Sequence, residues 1–285
     1  MGSKYLSSAA YIRKARLVVA RLILSLGVPL INRTVVGNYS IKFVTTNFVE
    51  YFLRAEESYT REVVTMLWIQ KYIKAGDVVY DVGANVGAYS LLMGKILSAS
   101  GGCVYAFEPG AANFFALNRN IHANQLSDTV LAFPLAFGDT HRISRFYLTD
   151  INSGAARHAI DTPESDRENF TPQHVQGVLI ESIDKFANEA GVKFPNHIKI
   201  DVDGVETAII QNSKSVLSDR RLKSLMIEIE TVLSDGEIEQ IMAEAGFVEV
   251  DREQWGDRTI FNVLFVRKEF TYDVSRSDVA VRKDH

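Results

Sequence analysis

An aspartate closes a short apolar run at Asp81, and two glycines follow it, Gly83 and Gly87, in the stretch VVYDVGANVGAYS. Val78 and Val79 are strand formers, and Ala88 to Ile96 carries helical periodicity, so the glycines fall in a tight turn from strand to helix. The free backbone N–H groups of such a turn receive nucleotide-like ligands. A second carboxylate, Glu108, ends the next apolar run, VYAFEPG, 21 residues beyond Gly87. An acidic residue at that distance is placed to accept the two hydroxyls of a ribose. A third stretch, IKIDVDG, sets Lys199, Asp201 and Asp203 at alternate positions, which puts them on one side of a strand.

The turn discriminates between ligand classes. A dinucleotide fingerprint spaces its glycines G-x-G-x-x-G so that pyrophosphate rests on the helix start. Here the spacing is Gly83-x-x-x-Gly87, with Asn85 where the middle glycine would fall, and Asp81 would repel a nearby phosphate. The same carboxylate favours a ligand bearing an ammonium and a sulfonium. S-adenosylmethionine carries both and no phosphate. Asp81, Gly83, Asn85, Gly87 and Glu108 are therefore the expected cofactor-binding residues. A nicotinamide-dependent oxidoreductase is the rival enzyme reading, and a cofactor-binding interaction protein without turnover is the rival from another class.

The elements that must position these groups follow an alternating order. Strands are expected at Val78–Val82, Gly102–Phe107, Thr129–Phe137, Ile143–Leu148, His197–Val202 and Leu222–Glu230. Helices are expected at 58–76, with Ser58 as its cap, and at Gly87–Leu97, Ala111–Asn120, Val205–Leu217 and Asp235–Ala245. Phe247–Val250 and Thr259–Val266 are spaced as a terminal antiparallel pair. Such alternation predicts an α/β fold, a mostly parallel sheet with helices on both faces. Asp150 to His174 is polar and holds Pro163 and Pro172, which marks it as a long loop. The expected organisation is an N-terminal extension of helix and hairpin over 1–55, a main domain over 56–270 and a tail over 271–285.

With 47% hydrophobic and 23% charged residues among 285, the chain has the apolar mass for a full core. A net charge of −4 argues against a nucleic-acid binder, and one cysteine, Cys103 in an apolar run, fits a reducing, cytoplasmic setting. Charge is unevenly spread: seven basic residues and no acidic one precede Glu50. The 11 uncharged residues between Arg21 and Arg33 fall short of the ~20 that span a bilayer. The front is expected as a cap helix that buries Ile12, Val19, Leu22 and Leu26 on its own domain. The alternative is an interfacial helix in peripheral contact with the inner membrane surface.

Taken together, YDVGANVGAYS, VYAFEPGAANFFALNRNI, LAFGD, NSG and IKIDVDGVETAII resemble the FkbM family of methyltransferases, a branch of the S-adenosylmethionine-dependent class I fold. The resemblance spans about Val78 to Glu230, with Asp203 standing where the family typically has glutamate. It implies a Rossmann-like seven-stranded sheet in the order 3-2-1-4-5-7-6 and O-methylation of a hydroxyl on a sugar-containing acceptor. It also implies cofactor contacts from Ala136 and Asp139 in LAFGD. In-line transfer needs the acceptor oxygen held against the methyl and its proton removed. Asp201 is expected to take that proton or orient the hydroxyl, with Lys199 holding its charge; a structural Lys199–Asp201 pair is the alternative. Asn152 and His158, on and just after NSG, are the expected acceptor-side residues, although a turn and a solvated loop histidine would explain them as well. Asp203 and Glu206 read as a capping box at a helix start. Asp201 with Glu228 could hold Mg²⁺, but without a tighter carboxylate cluster no metal is expected, and His122, His141, His174, His197 and His285 show no ligand spacing.

Overall fold

In a computed structural model of the chain, the described residues are 8–165, 168–254 and 259–271. The chain opens with α1 (Ser8–Ser25), a hairpin of β1 (Leu30–Val36) and β2 (Tyr39–Thr45), a wide π-type helix over Glu50–Glu57, and α2 (Val63–Tyr72). The alternating body follows as β3 (Val78–Val82), α3 (Ala88–Leu97), β4 (Cys103–Phe107), α4 (Ala111–Ala123) and β5 (Val130–Phe133). After an inserted region come β6 (Arg142–Leu148), β7 (His174–Glu181), β8 (His197–Ile200), α5 (Glu206–Gln211) and β9 (Ser224–Glu230). The last elements are α6 (Glu237–Glu244), β10 (Phe247–Gln254) and β11 (Ile260–Arg267).

Seven strands form the main sheet in the order β10-β11-β9-β8-β3-β4-β5. The five strands from β9 to β5 run parallel, and β11 enters antiparallel between β9 and β10. This is the class I methyltransferase order 3-2-1-4-5-7-6 read from the β5 edge. All five residues of β3 and of β4 are buried, as central parallel strands covered on both faces require. Their side chains alternate between two cores. Tyr80 and Val82 join Phe107, Phe186 and Ile200 on one face, whereas Val79 joins Trp68, Leu91 and Met226 on the other. Cys103 is buried in β4.

A second, four-stranded sheet lies outside that frame, built from Ala136–Phe137, β7, β6 and Ala159–Ile160. The expected strand Thr129–Phe137 is broken by Pro134, and only its last two residues cross to this sheet. The hairpin is not isolated from the body. Ile41 and Phe43 enter the Trp68 core, and Asn124 and Asn120 accept from the backbone of Lys42 and Val44, each at 2.9 Å.

Three expectations about helices are corrected. The helix expected over 58–76 is interrupted: Glu62 has ψ 82°, outside the helical range, and Ser58 is no cap. The expected boundary at residue 55 falls inside the helical stretch that precedes this break. The cap helix docks on a different face from the one expected. Ala20 and Leu24 are buried against Tyr51, with Leu17, Phe48 and Phe52 around them, while Ile12, Val19, Leu22 and Leu26 point outward. Arg13 and Arg16, each about half exposed, pair with Glu57 and Glu56, which is consistent with that rotation. Among the described residues no helix is long and apolar enough to cross a membrane.

Candidate active site

The turn after β3 is made from three left-handed residues, Gly83 at φ 82°, Asn85 at φ 52° and Gly87 at φ 94°. Asparagine is among the few side chains that tolerate this region, which explains its place between the glycines. A Cβ on Gly83 would lie 1.9 Å from the carbonyl oxygen of Asp201, so glycine here lets β3 and the end of β8 meet. At Gly87 a Cβ would meet Leu117 at 2.6 Å, which makes that glycine a packing position for α4. The amides of Gly83 and Ala84 both donate to the Phe107 carbonyl at 3.0 Å, tying the turn to the end of β4.

Glu108 sits beside that turn, 4% exposed. Its carboxylate accepts from the backbone N–H of Asn85 at 2.9 Å and of Gly110 at 2.8 Å, with Asn113 Nδ2 at 3.4 Å. Burial nevertheless pushes its carboxyl up to about 7. Asn113 also reaches the opposite wall: its Oδ1 accepts from Gly154 N at 2.7 Å, and its Nδ2 donates to Ala155 O at 3.2 Å. Asn85 Nδ2 donates to the same carbonyl at 2.8 Å. The expected ribose acceptor and the loop 154–158 thus share one hydrogen-bonded wall.

Beneath the turn lies a charged cluster on the Val79 face of the sheet. Lys199 on β8 stands in register with Asp81 on β3, and its Nζ donates to Asp201 Oδ2 at 2.5 Å. Burial alone would discharge this lysine, which is 2% exposed; the carboxylates of Asp201, Asp81 and Glu62 outweigh that and hold it charged. Its ammonium also lies 5.1 Å from the centroid of the Tyr89 ring. Asp81 accepts from Ser90 Oγ, while its Oδ1 is buried without a hydrogen-bond partner among the described residues. Burial raises the carboxyl of Asp81 and pushes that of Glu62 up to about 7.

These groups surround a cleft of about 790 Å³, solvent at its mouth included, lined by Gly83, Asn85, Glu108, Ala136, His158 and Asp201 among others. Several expected residues lie elsewhere. Asp81, Gly87 and Lys199 form its foundation and are not in the lining. Asp139 is exposed and pairs with Arg142 at 3.2 Å, because the turn after Phe137 carries it out to the surface. Asn152 is an exposed turn residue whose N and Nδ2 both donate to Asp150, so it does not reach the cleft.

His158 is not a solvated loop residue. It is 7% exposed, edge-on to Phe146 at 5.4 Å, and burial lowers its imidazole to about 4, so it is neutral at pH 7. Asp203 is not a helix cap either. β8 ends at Ile200, and Asp203 Oδ2 accepts from the backbone N–H of His158 at 2.9 Å, drawing the loop over the cleft. Glu206 accepts from Gly204 N at 3.3 Å, and the residue before α5, Val205, makes no side-chain cap. Glu62, Asn113 and Arg54 had not been expected in the site. Arg54 lines the cleft and donates to Gly154 O from Nε at 3.0 Å and Nη2 at 2.8 Å. All three come from segments remote from the turn in sequence, and an acid inside helical sequence carries no local signal. Among the described residues no three His, Cys, Asp or Glu side chains converge as a metal site.

The family model "Methyltransferase FkbM domain" matches residues 81–249. A curated relative, the hexuronic acid methyltransferase AglP of Haloferax volcanii, is 22% identical over 210 residues, covering 74% of this chain and 79% of that protein. Among solved structures, methyltransferase FkbM from Methylobacillus flagellatus is 14% identical with a TM-score of 0.47, over 76% of this chain and 50% of that one. This chain therefore spans about half the length of that structure. A structure of TrmK from M. capricolum in complex with S-adenosyl-homocysteine is 8% identical with a TM-score of 0.42, over 75% of this chain and 72% of that one. With the family match running from the aspartate of the glycine turn through the second half of the sheet, the protein belongs to the FkbM methyltransferase domain family.

Proposed function

We propose that the cleft binds S-adenosylmethionine and that the enzyme methylates an oxygen of a sugar-containing acceptor. One observation carries the cofactor reading: three carboxylates, Asp81, Asp201 and Glu62, crowd a single buried ammonium beneath the turn. The surplus of negative charge suits a cationic ligand and disfavours pyrophosphate. Asp81 contributes its charge from beneath the turn, and Glu108 on the cleft wall fits a ribose diol. When bound, S-adenosylmethionine supplies the activated methyl group. Asp201, half-buried at the cleft floor and steadied by Lys199, accepts the hydrogen bond of the acceptor hydroxyl and takes its proton. The loop around Ala155, Ala156 and His158 shields the cleft from water, and neutral His158 adds no charge that would oppose a cationic cofactor.

The acceptor reading leans on Arg54. Among the described residues lining the cleft it is the one permanent cation, and it stands on the side of loop 154–158. A guanidinium there suits an acceptor with a carboxylate, as a hexuronic acid has. This observation also favours a second reading, in which the methyl passes to a carboxylate oxygen and no proton need be removed. Calorimetric titration with S-adenosylmethionine and with NAD tests the cofactor. Binding of NAD alone would sink the assignment. Incubation with methyl-labelled cofactor and hexuronate or neutral hexose glycosides tests the acceptor. Label that survives mild alkali is an ether from a hydroxyl, whereas label released by alkali is an ester and supports the second reading.

A further inference from the structure

Among the described residues the outward side of α1 has no partner in the fold. Tyr11, Ile12, Val18, Val19, Leu22 and Leu26 are each more than half exposed. At 100° per residue the six occupy one continuous arc, opposite the Ala20 and Leu24 side that packs on Tyr51. A helix held on a domain by its narrow side would ordinarily turn charge toward water. This one does the reverse: its pairing charges, Arg13 and Arg16, face Glu57 and Glu56, and its apolar arc faces out. The strand that follows repeats the pattern. Asn32 of β1 donates to Glu56 at 2.8 Å, while Ile31, Arg33 and Val35 on its other face are exposed. Both exposed faces thus look away from the same helix, Glu50–Glu57.

Charge names the occupant. Lys14 and Arg21 border the apolar arc and Arg33 lies between Ile31 and Val35; none of the three has a carboxylate partner among the described residues. Arg21 instead lies over the Phe48 ring at 5.4 Å, which holds it at the edge of the arc. No acidic residue precedes Glu50 to repel an anionic surface. An apolar helix face rimmed by cations is what an interfacial helix presents to anionic lipid. We infer that α1 and the outer face of β1 dock this enzyme on an anionic membrane, with α1 lying in the headgroup layer between bilayer and protein. The inference goes beyond the methyl-transfer reading and its test reads no turnover.

The test is sedimentation of the full chain with vesicles of equimolar phosphatidylglycerol and phosphatidylcholine, with phosphatidylcholine vesicles, and without vesicles. Pelleting on the anionic vesicles alone is expected, weakening at about 1 M salt, where the screening length falls to ~3 Å. Lys14→Ala and Arg21→Ala should each lower vesicle affinity about fivefold, the equivalent of ~1 kcal/mol per charge. Val19→Ser with Leu22→Ser should abolish pelleting without changing the circular-dichroism melt, because both side chains are already in solvent. A chain that stays in the supernatant, or pellets equally on neutral vesicles, overturns the inference. So does a dimer in analytical ultracentrifugation that the serine pair dissociates, since the arc would then serve a second copy.

Discussion

Gly83 carries the sharpest prediction. Replacing it by alanine would place a methyl carbon 1.9 Å from the Asp201 carbonyl oxygen and 2.9 Å from its carbonyl carbon, both backbone atoms. An ordinary contact needs about 3.4 Å, so β3 and the end of β8 would have to part by roughly 1.5 Å. The left-handed backbone costs alanine ~1–2 kcal/mol, and forcing packed elements apart costs a further ~1–3 kcal/mol. Parting also strains the bond from Asp201 N to Val82 O, now 3.0 Å, worth about 1 kcal/mol. The sum, ~3–6 kcal/mol, is a large share of the 5–15 kcal/mol that holds a typical domain. Gly101→Ala is the control, since Gly101 has φ 74° but nothing within 4 Å of its added carbon. It should cost only the backbone share, about 1–2 kcal/mol. Urea unfolding followed by circular dichroism reads both, and calorimetry reads S-adenosylmethionine binding in whatever Gly83→Ala protein stays folded. Equal destabilisation by the two substitutions, with native cofactor affinity in Gly83→Ala, would refute the argument that close approach of β3 and β8 shapes the cleft.

Three further outcomes are expected. Asp201→Asn keeps the shape of the cleft floor, so turnover should fall ~10²–10⁴-fold with cofactor affinity within a few-fold, if a hydroxyl is the acceptor; unchanged turnover on a neutral sugar would make Asp201 structural. Arg54→Ala should raise KM for a carboxylate-bearing acceptor at least tenfold and leave a neutral one alone, the worth of one charged hydrogen bond at ~1.5–3 kcal/mol; equal effects on both would remove Arg54 from recognition. Stability should fall as pH drops from about 6.5 to about 4, because buried His158 resists the proton that the unfolded chain takes up. The 2.5-unit gap from 6.5 to about 4 sets an upper limit of ~3 kcal/mol for this loss. His158→Asn keeps an acceptor toward Thr149 N and should flatten that part of the acid limb; an unaltered pH profile would show that His158 is accessible to protons in the folded state.

The glycine turn and the wall beside it were legible in sequence because their signals are local. A buried apolar run, a left-handed turn and a helix start lie within the thirteen residues from Val78 to Ser90, and Glu108 ends the strand alongside. The opposite wall of the cleft was not, because its contacts are made across the fold. Asp203 and Glu206 carry the spacing of a cap, yet Asp203 is claimed by His158, 45 residues away. Strand β7 hides in a polar stretch because its outer positions are exposed and it pairs with β6 over a long loop. Glu62 breaks a helix that its own propensity would continue, and it does so where Lys199 and Tyr89 gather. The rotation of α1 follows its contacts with Tyr51, Glu56 and Glu57, outside any window that scores the helix itself.

The second sheet leaves the main frame and returns to it at a single point. Ala136 and Phe137 pair with Ile180 and Glu181, and Gly138 N donates to Glu181 O at 3.0 Å, so the ends of the excursion are stitched together. Once the ends of a segment are fixed side by side, its closure entropy depends only logarithmically on its length, about 0.6 kcal/mol for each doubling. The stretch that roofs the cleft can therefore lengthen, shorten or exchange its side chains at little cost to the strands that carry Asp81 and Glu108. The stitch at Ala136–Ile180 makes the roof a part that can vary while the floor stays as it is.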